Sequence, residues 1–189
     1  MNRFIIADRN TDYLLPPSLS DWLPEGHLAC FVAEIVGQLD LSEITQQYCG
    51  RGSKAHHPET LLCLLIYGYA TGVFSSRKIE RASYDSIAFR YLCANTHPDH
   101  DTIASFRRRF LPQLEALFVQ VLMIAHEMKL FKMGNISLDG TKLKANASKH
   151  KALCYKHLKK IEAQLNAEVK ALTVQAEAAD TVPVNDGMD

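Results

Sequence analysis

No apolar run in the sequence approaches the roughly 20 residues needed to span a membrane. No basic start leads into an apolar stretch either: Arg3, Asp8, Arg9 and Asp12 mix both signs, so a secretory signal is not expected. Cys30, Cys49, Cys63, Cys93 and Cys154 are scattered and form no CxxC pair. That pattern points to reduced thiols in a cytoplasmic protein rather than a disulfide framework. The pairs His27/Cys30 and His97/His100 have no second Cys/His pair at zinc-finger spacing, which argues against structural zinc. The Gly50–Gly52 loop lacks the Gly-Lys-Ser/Thr ending of a phosphate-binding loop, so nucleotide binding has no support. There is no internal repeat.

The 189 residues leave room for one or two domains, and the apolar and charged fractions are ordinary for a soluble globular chain. A formal net charge of zero conceals a partition. Residues 1–50 hold two basic and seven acidic side chains, residues 51–160 eighteen and eight, and residues 161–189 one and six. A basic middle between acidic flanks fits a phosphate-binding footprint, because cationic side chains displace counterions condensed on nucleic acid. Charge alone fits a solvated lysine-rich surface equally well.

The spacing predicts a mainly helical chain. Pro16, Pro17 and Pro24 make residues 1–24 an extended arm with apolar anchors at Leu14, Leu15, Leu19, Trp22 and Leu23. Helices are predicted over Gly26–Leu39, Glu43–Tyr48, Glu59–Thr71 behind Pro58, Arg77–Tyr84, Ser86–Cys93, Asp101–Phe110 and Pro112 to about Leu130. The helix after Pro58 is apolar on nearly all sides, as a central helix would be, with His56-His57 leading into it. His97–Asp101 reads as a turn, with Asp101 as the cap of the next helix. The period then changes: residues 135–139 and 141–145 alternate around Asp139-Gly140, a hairpin signal. After Ser148 a helical arm returns with Leu158, Ile161, Leu165, Val169 and Leu172, spaced as in a coiled coil. From Asp180 the composition suggests a disordered tail.

Short helices joined by tight turns over 75–110 suggest a helix-turn-helix module. Ile103, Phe106 and Phe110 fall at i, i+3 and i+7 and would face a core. Thr102, Ser105, Arg108 and Arg109 fall largely on other faces, and with Arg107 they are the candidate DNA contacts of this helix. Arg77, Lys78 and Arg81 form a second basic patch. Arginine forks onto phosphates or guanine edges, so the residue types suit DNA contact. The alternative is a surface helix bearing three solvated arginines, and which helix would enter a major groove is left open.

Asp139 stands at the mouth of the predicted hairpin, where a carboxylate can ligate Mg²⁺. Turn geometry alone also favours Asp-Gly there. The stretch from Ile136 to Lys151, with Asp139-Gly140-Thr141-Lys142-Leu143-Lys144-Ala145 at its heart, resembles the first-carboxylate segment of bacterial insertion-sequence transposases of the DDE type. Leu14-Leu15-Pro16-Pro17-Ser18, Asp21-Trp22-Leu23-Pro24, His57-Pro58, Ser75–Glu80 and His100–Arg107 resemble their N-terminal domain, in order along the chain.

The resemblance implies a helical DNA-binding domain over residues 1–131. A first hairpin of a ribonuclease-H-like catalytic domain would follow over 132–148, then a helical arm and disordered tail over 149–189. It makes Asp139 the first metal-binding carboxylate, with Mg²⁺ as cofactor. On that footing Lys142, Lys144, Lys149 and Lys151 would lie near substrate phosphates, the alternative being a charged rim of the hairpin. The implied partners are the DNA of terminal inverted repeats and another transposase copy, with no membrane. The second Asp and the Glu of that family are not found in the sequence. The expectation is therefore a truncated or split product that binds element ends without cutting them. The alternatives are a non-enzymatic DNA-binding remnant that inhibits a full-length transposase, and a helical protein whose arm pairs with itself or a partner.

Overall fold

The computed structural model describes residues 18–48, 55–127 and 147–181. Among these the fold is helical: α1 (Leu28–Val36), α2 (Ser42–Thr45), α3 (Pro58–Ala70), α4 (Ser76–Asp85), α5 (Ile87–Leu92), α6 (His100–Arg109), α7 (Leu111–Glu127) and α8 (Ala147–Thr181). A short 3₁₀ turn over Leu19–Trp22 precedes them, closed by a capping box between Ser18 and Asp21. The end of the predicted extended arm is therefore helical. Its cause is local, since the Ser18 and Asp21 side chains each take the other's backbone N–H. Asp139 and the predicted strands lie outside the described residues. Ala147 and Ser148, which the sequence assigned to the hairpin segment, open α8.

α3 is the axis of the core. Every residue from Leu61 to Tyr69 is buried, and α1, α4 and α5 pack around it. His57 caps its start, its Nδ1 accepting the Glu59 N–H at 3.3 Å, with Pro58 in the first turn, where a missing N–H costs nothing. Its end is a Schellman motif: Val73 N–H donates to Gly68 O (2.7 Å), Gly72 N–H to Tyr69 O (3.2 Å), and Gly72 takes φ +80°. Gly68 has a second role. A Cβ there would stand 2.9 Å from Val73 O and 3.2 Å from Ile79 Cδ1, so only glycine lets α4 lie this close.

α7 and α8 pack on each other. Part of the arm that sequence spacing left open to a partner packs within the chain. Ile161, Leu165, Val169 and Ala176 are buried, and the Thr173 hydroxyl donates to Glu115 Oε1 at 3.1 Å. Nor does the tail begin at Asp180. The helix continues through Thr181, and the Asp180 carboxylate is bonded to α4 and α6, an anchor 73 residues from Arg107 that no local pattern discloses. No helix among the described residues is long and apolar enough to cross a membrane.

Candidate nucleic-acid interface

α6 is set by its cap and its buried stripe. Asp99, not Asp101, is the cap: its carboxylate accepts the Thr102 N–H at 2.6 Å and the Thr102 hydroxyl at 3.0 Å. Those bonds hold its carboxyl below the ordinary carboxylate value, the backbone bond from Thr102 most of all. Asp101 falls inside the first turn, where its charge faces the helix's positive end. Ile103, Phe106 and Phe110 are buried as their spacing predicts. The turn entering α6 holds Ala94, Asn95 and His97 at positive φ. It is clamped by the His97 ring, stacked 4.0 Å from Tyr84 with Nδ1 3.0 Å from the Ser83 hydroxyl.

α4 and α6 are joined directly. Glu80 Oε2 accepts the His100 backbone N–H at 3.2 Å and lies 2.7 Å from its Nδ1. The two helices therefore present their outer faces side by side. Arg77, Lys78 and Arg81 are exposed on α4, and Ser105, Arg108 and Arg109 on α6. Among the described residues no ion pair holds Arg77, Lys78 or Arg108. Arg109 is partly tethered: its Nη2 donates to Gln47 O at 3.0 Å, and its guanidinium lies 5.6 Å from the Tyr48 ring and 4.9 Å from that of Phe110. Thr102 is half-buried with its hydroxyl committed to the cap.

Arg107 is not on this face. It is 3% exposed, and its Nη2 donates to Asp180 Oδ2 at 2.6 Å. The face follows from register: with Phe106 and Phe110 in the core, position 107 points toward α8 while 108 and 109 turn outward. Lys142, Lys144 and Asp139 lie outside the described residues. Lys149 falls in α8.

Two clefts flank α6. One, of about 170 Å³, is lined by Ser76, Arg77, His100, Arg107 and Arg108 together with Glu177 and Asp180 from α8. The other, of about 500 Å³, is lined by Tyr48, His56, Thr102, Ser105 and Arg109, among others. Sequence reading missed Glu80, Tyr48 and Asp180. Glu80 sits in a quoted motif but gave no sign of its partner.

Among the described residues, the histidines of the pairs His27/Cys30 and His97/His100 have other partners. His27 caps α1 by accepting the Ala29 N–H at 3.1 Å, and His100 faces Glu80. Among the described residues no three His, Cys, Asp or Glu converge as a metal group. These residues thus offer no donor set for Mg²⁺. Cys30, Cys63 and Cys93 are free thiols.

The described fold and surface define an α-helical domain with a basic face formed by two adjoining helices. Residues 17–109 match the family model described as Transposase domain (DUF772), so this segment is similar to a transposase domain. The matched segment contains α1 to α6 and so the whole basic face, while α7 and α8 follow it. No significant match was found among curated proteins or among solved structures.

Proposed function

We propose that this chain binds the DNA of insertion-sequence ends through the outer faces of α4 and α6, with transposition as its context. The supporting observation is the set of cations Arg77, Lys78 and Arg108, without an ion-pair partner among the described residues and held on two helices fixed to each other within the transposase-domain segment. Arg81, Ser105 and Arg109 extend the same surface, and α6 is the reading helix of a helix-turn-helix-like arrangement. Arg107 and Thr102 serve the fold. Mg²⁺-dependent strand cleavage is what the resemblance implies for Asp139. The proposal is confined to binding, which the described residues support.

The test is a gel shift of the purified chain on duplexes carrying the flanking inverted repeats, at low salt. Binding should weaken on Arg77→Ala, Lys78→Ala and Arg108→Ala, each reducing the slope of log K against log salt by about 0.9 per lost phosphate contact. No shift at low salt, where counterion release is strongest, would end this reading.

A further inference from the structure

Asp101, Ala104, Ser105 and Arg108 fall at i, i+3, i+4 and i+7, which sets them in one line along α6. Asp101 borders both clefts that flank the helix, Ala104 and Arg108 the smaller one and Ser105 the larger. The line is therefore the ridge between the two clefts, the part of α6 that a groove would meet. Asp101, Ser105 and Arg108 are all exposed on it.

A carboxylate on this ridge is out of keeping with the cations around it. Arg77 and Arg108 line the same cleft as Asp101. The Asp101 side chain is 88% exposed, and its Oδ1 stands 3.7 Å from His100 Nε2, beyond hydrogen-bond range. Asp99 is the cap of α6, so the Thr102 N–H does not need a second carboxylate. On a surface that faces DNA a carboxylate repels phosphates, and the repulsion is offset only where it meets a hydrogen-bond donor. In the major groove those donors are the exocyclic amino groups of cytosine and adenine. Adenine sets its N7 acceptor beside N6, against the second carboxylate oxygen, whereas cytosine itself presents N4 alone.

We infer that Asp101 is a specificity-determining residue of α6, accepting a hydrogen bond from cytosine N4 in the major groove. Arg108, at the other end of the ridge, donates to guanine O6 and N7. Seven residues at about 1.5 Å each place the two bases roughly two to three base-pair steps apart. This rests on the DNA-binding reading and adds to it the bases that α6 reads. Asp101 thereby lowers affinity for DNA in general and raises the preference for one base.

Selection of duplexes with a randomised segment, retained by the purified chain in a gel shift, tests the assignment. The unchanged chain should enrich cytosine at one position and guanine two to three steps away. On single duplexes, replacing that cytosine by thymine should weaken binding roughly 5- to 100-fold. For Asp101→Ala the same replacement should change affinity less than about 2-fold, while binding to the thymine duplex strengthens because a repelled charge has gone. Asp101→Asn, whose amide pairs with adenine N6 and N7, should move the preference from cytosine to adenine. Both variants keep the Asp99 cap. A charge that served only the helix dipole would alter stability and leave base preference alone.

A cytosine preference that survives in Asp101→Ala overturns the assignment, as does a selection by the unchanged chain that enriches no cytosine. If the unchanged chain binds every duplex alike, the DNA-binding reading stands and only this inference falls. If it retains no duplex even at low salt, both fall together.

Discussion

Glu80 and His100 join the two basic helices: one carboxylate oxygen accepts the His100 backbone N–H at 3.2 Å and lies 2.7 Å from the same residue's Nδ1. The contact satisfies an orphan donor at the start of α6 from a neighbouring helix, so it fixes the angle between α4 and α6 as well as the helix end. Glu80→Ala should cost about 1–2 kcal/mol of unfolding free energy, and Glu80→Gln, which keeps an acceptor, less. Urea denaturation measures both. Equal losses for the two variants would mean that the hydrogen bond is not what Glu80 contributes.

Caps offer a second discrimination. Asp99→Ala removes the acceptor for the Thr102 N–H and should destabilise the chain by about 1 kcal/mol. Asp101→Ala, two residues inward, should have a smaller effect limited to its charge near the helix start. The reverse order in denaturant midpoints would show that the α6 cap is Asp101, as the bare sequence suggested.

That choice illustrates what local pattern can resolve. The buried stripe of α6 was legible because Ile103, Phe106 and Phe110 repeat at helical spacing, and α3 because it is apolar all round. The cap was not, since His97-Pro98-Asp99-His100-Asp101 offers two carboxylates within three residues and only backbone torsion selects one. The fate of Arg107 was beyond reach. Three consecutive arginines look alike until Asp180, far along the chain, claims the one that register turns inward. The spacing of Ile161, Leu165 and Val169 promised a buried stripe without naming its partner, and α7 supplies it.

Gly68 should tolerate no side chain. The Cβ of Gly68→Ala would meet the Val73 carbonyl, which the Schellman motif fixes, and the Ile79 side chain at the α3–α4 crossing. Overpacking of this kind costs about 1–3 kcal/mol. A thermal melt should show the loss. An unchanged melting temperature would mean that the α3 end relaxes freely.

Thiol chemistry reports the same core. Burial pushes the Cys63 thiol up to about 12, with the Glu59 charge adding to the rise. Cys93 is fully buried, while Cys30 is half-buried. Cys63 and Cys93 should resist a thiol-exchange reagent in the native protein and react on unfolding in denaturant, because the attacking species is the thiolate. Mass mapping of labelled peptides identifies which cysteines respond; prompt native labelling of Cys63 would contradict the packing of α3.

Acid should release the α8 anchor. Burial alone would raise the Asp180 carboxyl, but the Ser76 hydrogen bonds and the Arg107 charge overcome it and hold its pKa below the ordinary value. A carboxyl depressed in the folded state contributes stability that is full above its unfolded pKa and disappears as pH falls through the folded one. The stability difference between the unchanged chain and Asp180→Asn should therefore be largest near neutral pH and shrink in acid. Urea midpoints across that range measure it, and a difference independent of pH would exclude the ionised carboxylate as the anchor.

Arg107 and Arg108, adjacent in sequence, should separate folding from binding. Arg107→Ala leaves the Asp180 carboxylate part-buried without its cation, a change that typically costs about 3–5 kcal/mol. Arg108 is exposed and has no ion-pair partner among the described residues, so Arg108→Ala should leave stability within about 0.5 kcal/mol. On DNA the order reverses in kind: Arg108→Ala should weaken binding and flatten its salt dependence while the protein remains fully folded. Parallel denaturation and gel-shift titrations read both quantities from the same preparations. If Arg108→Ala unfolds the protein, or leaves both affinity and salt slope untouched, the outer face of α6 is not the surface that meets DNA.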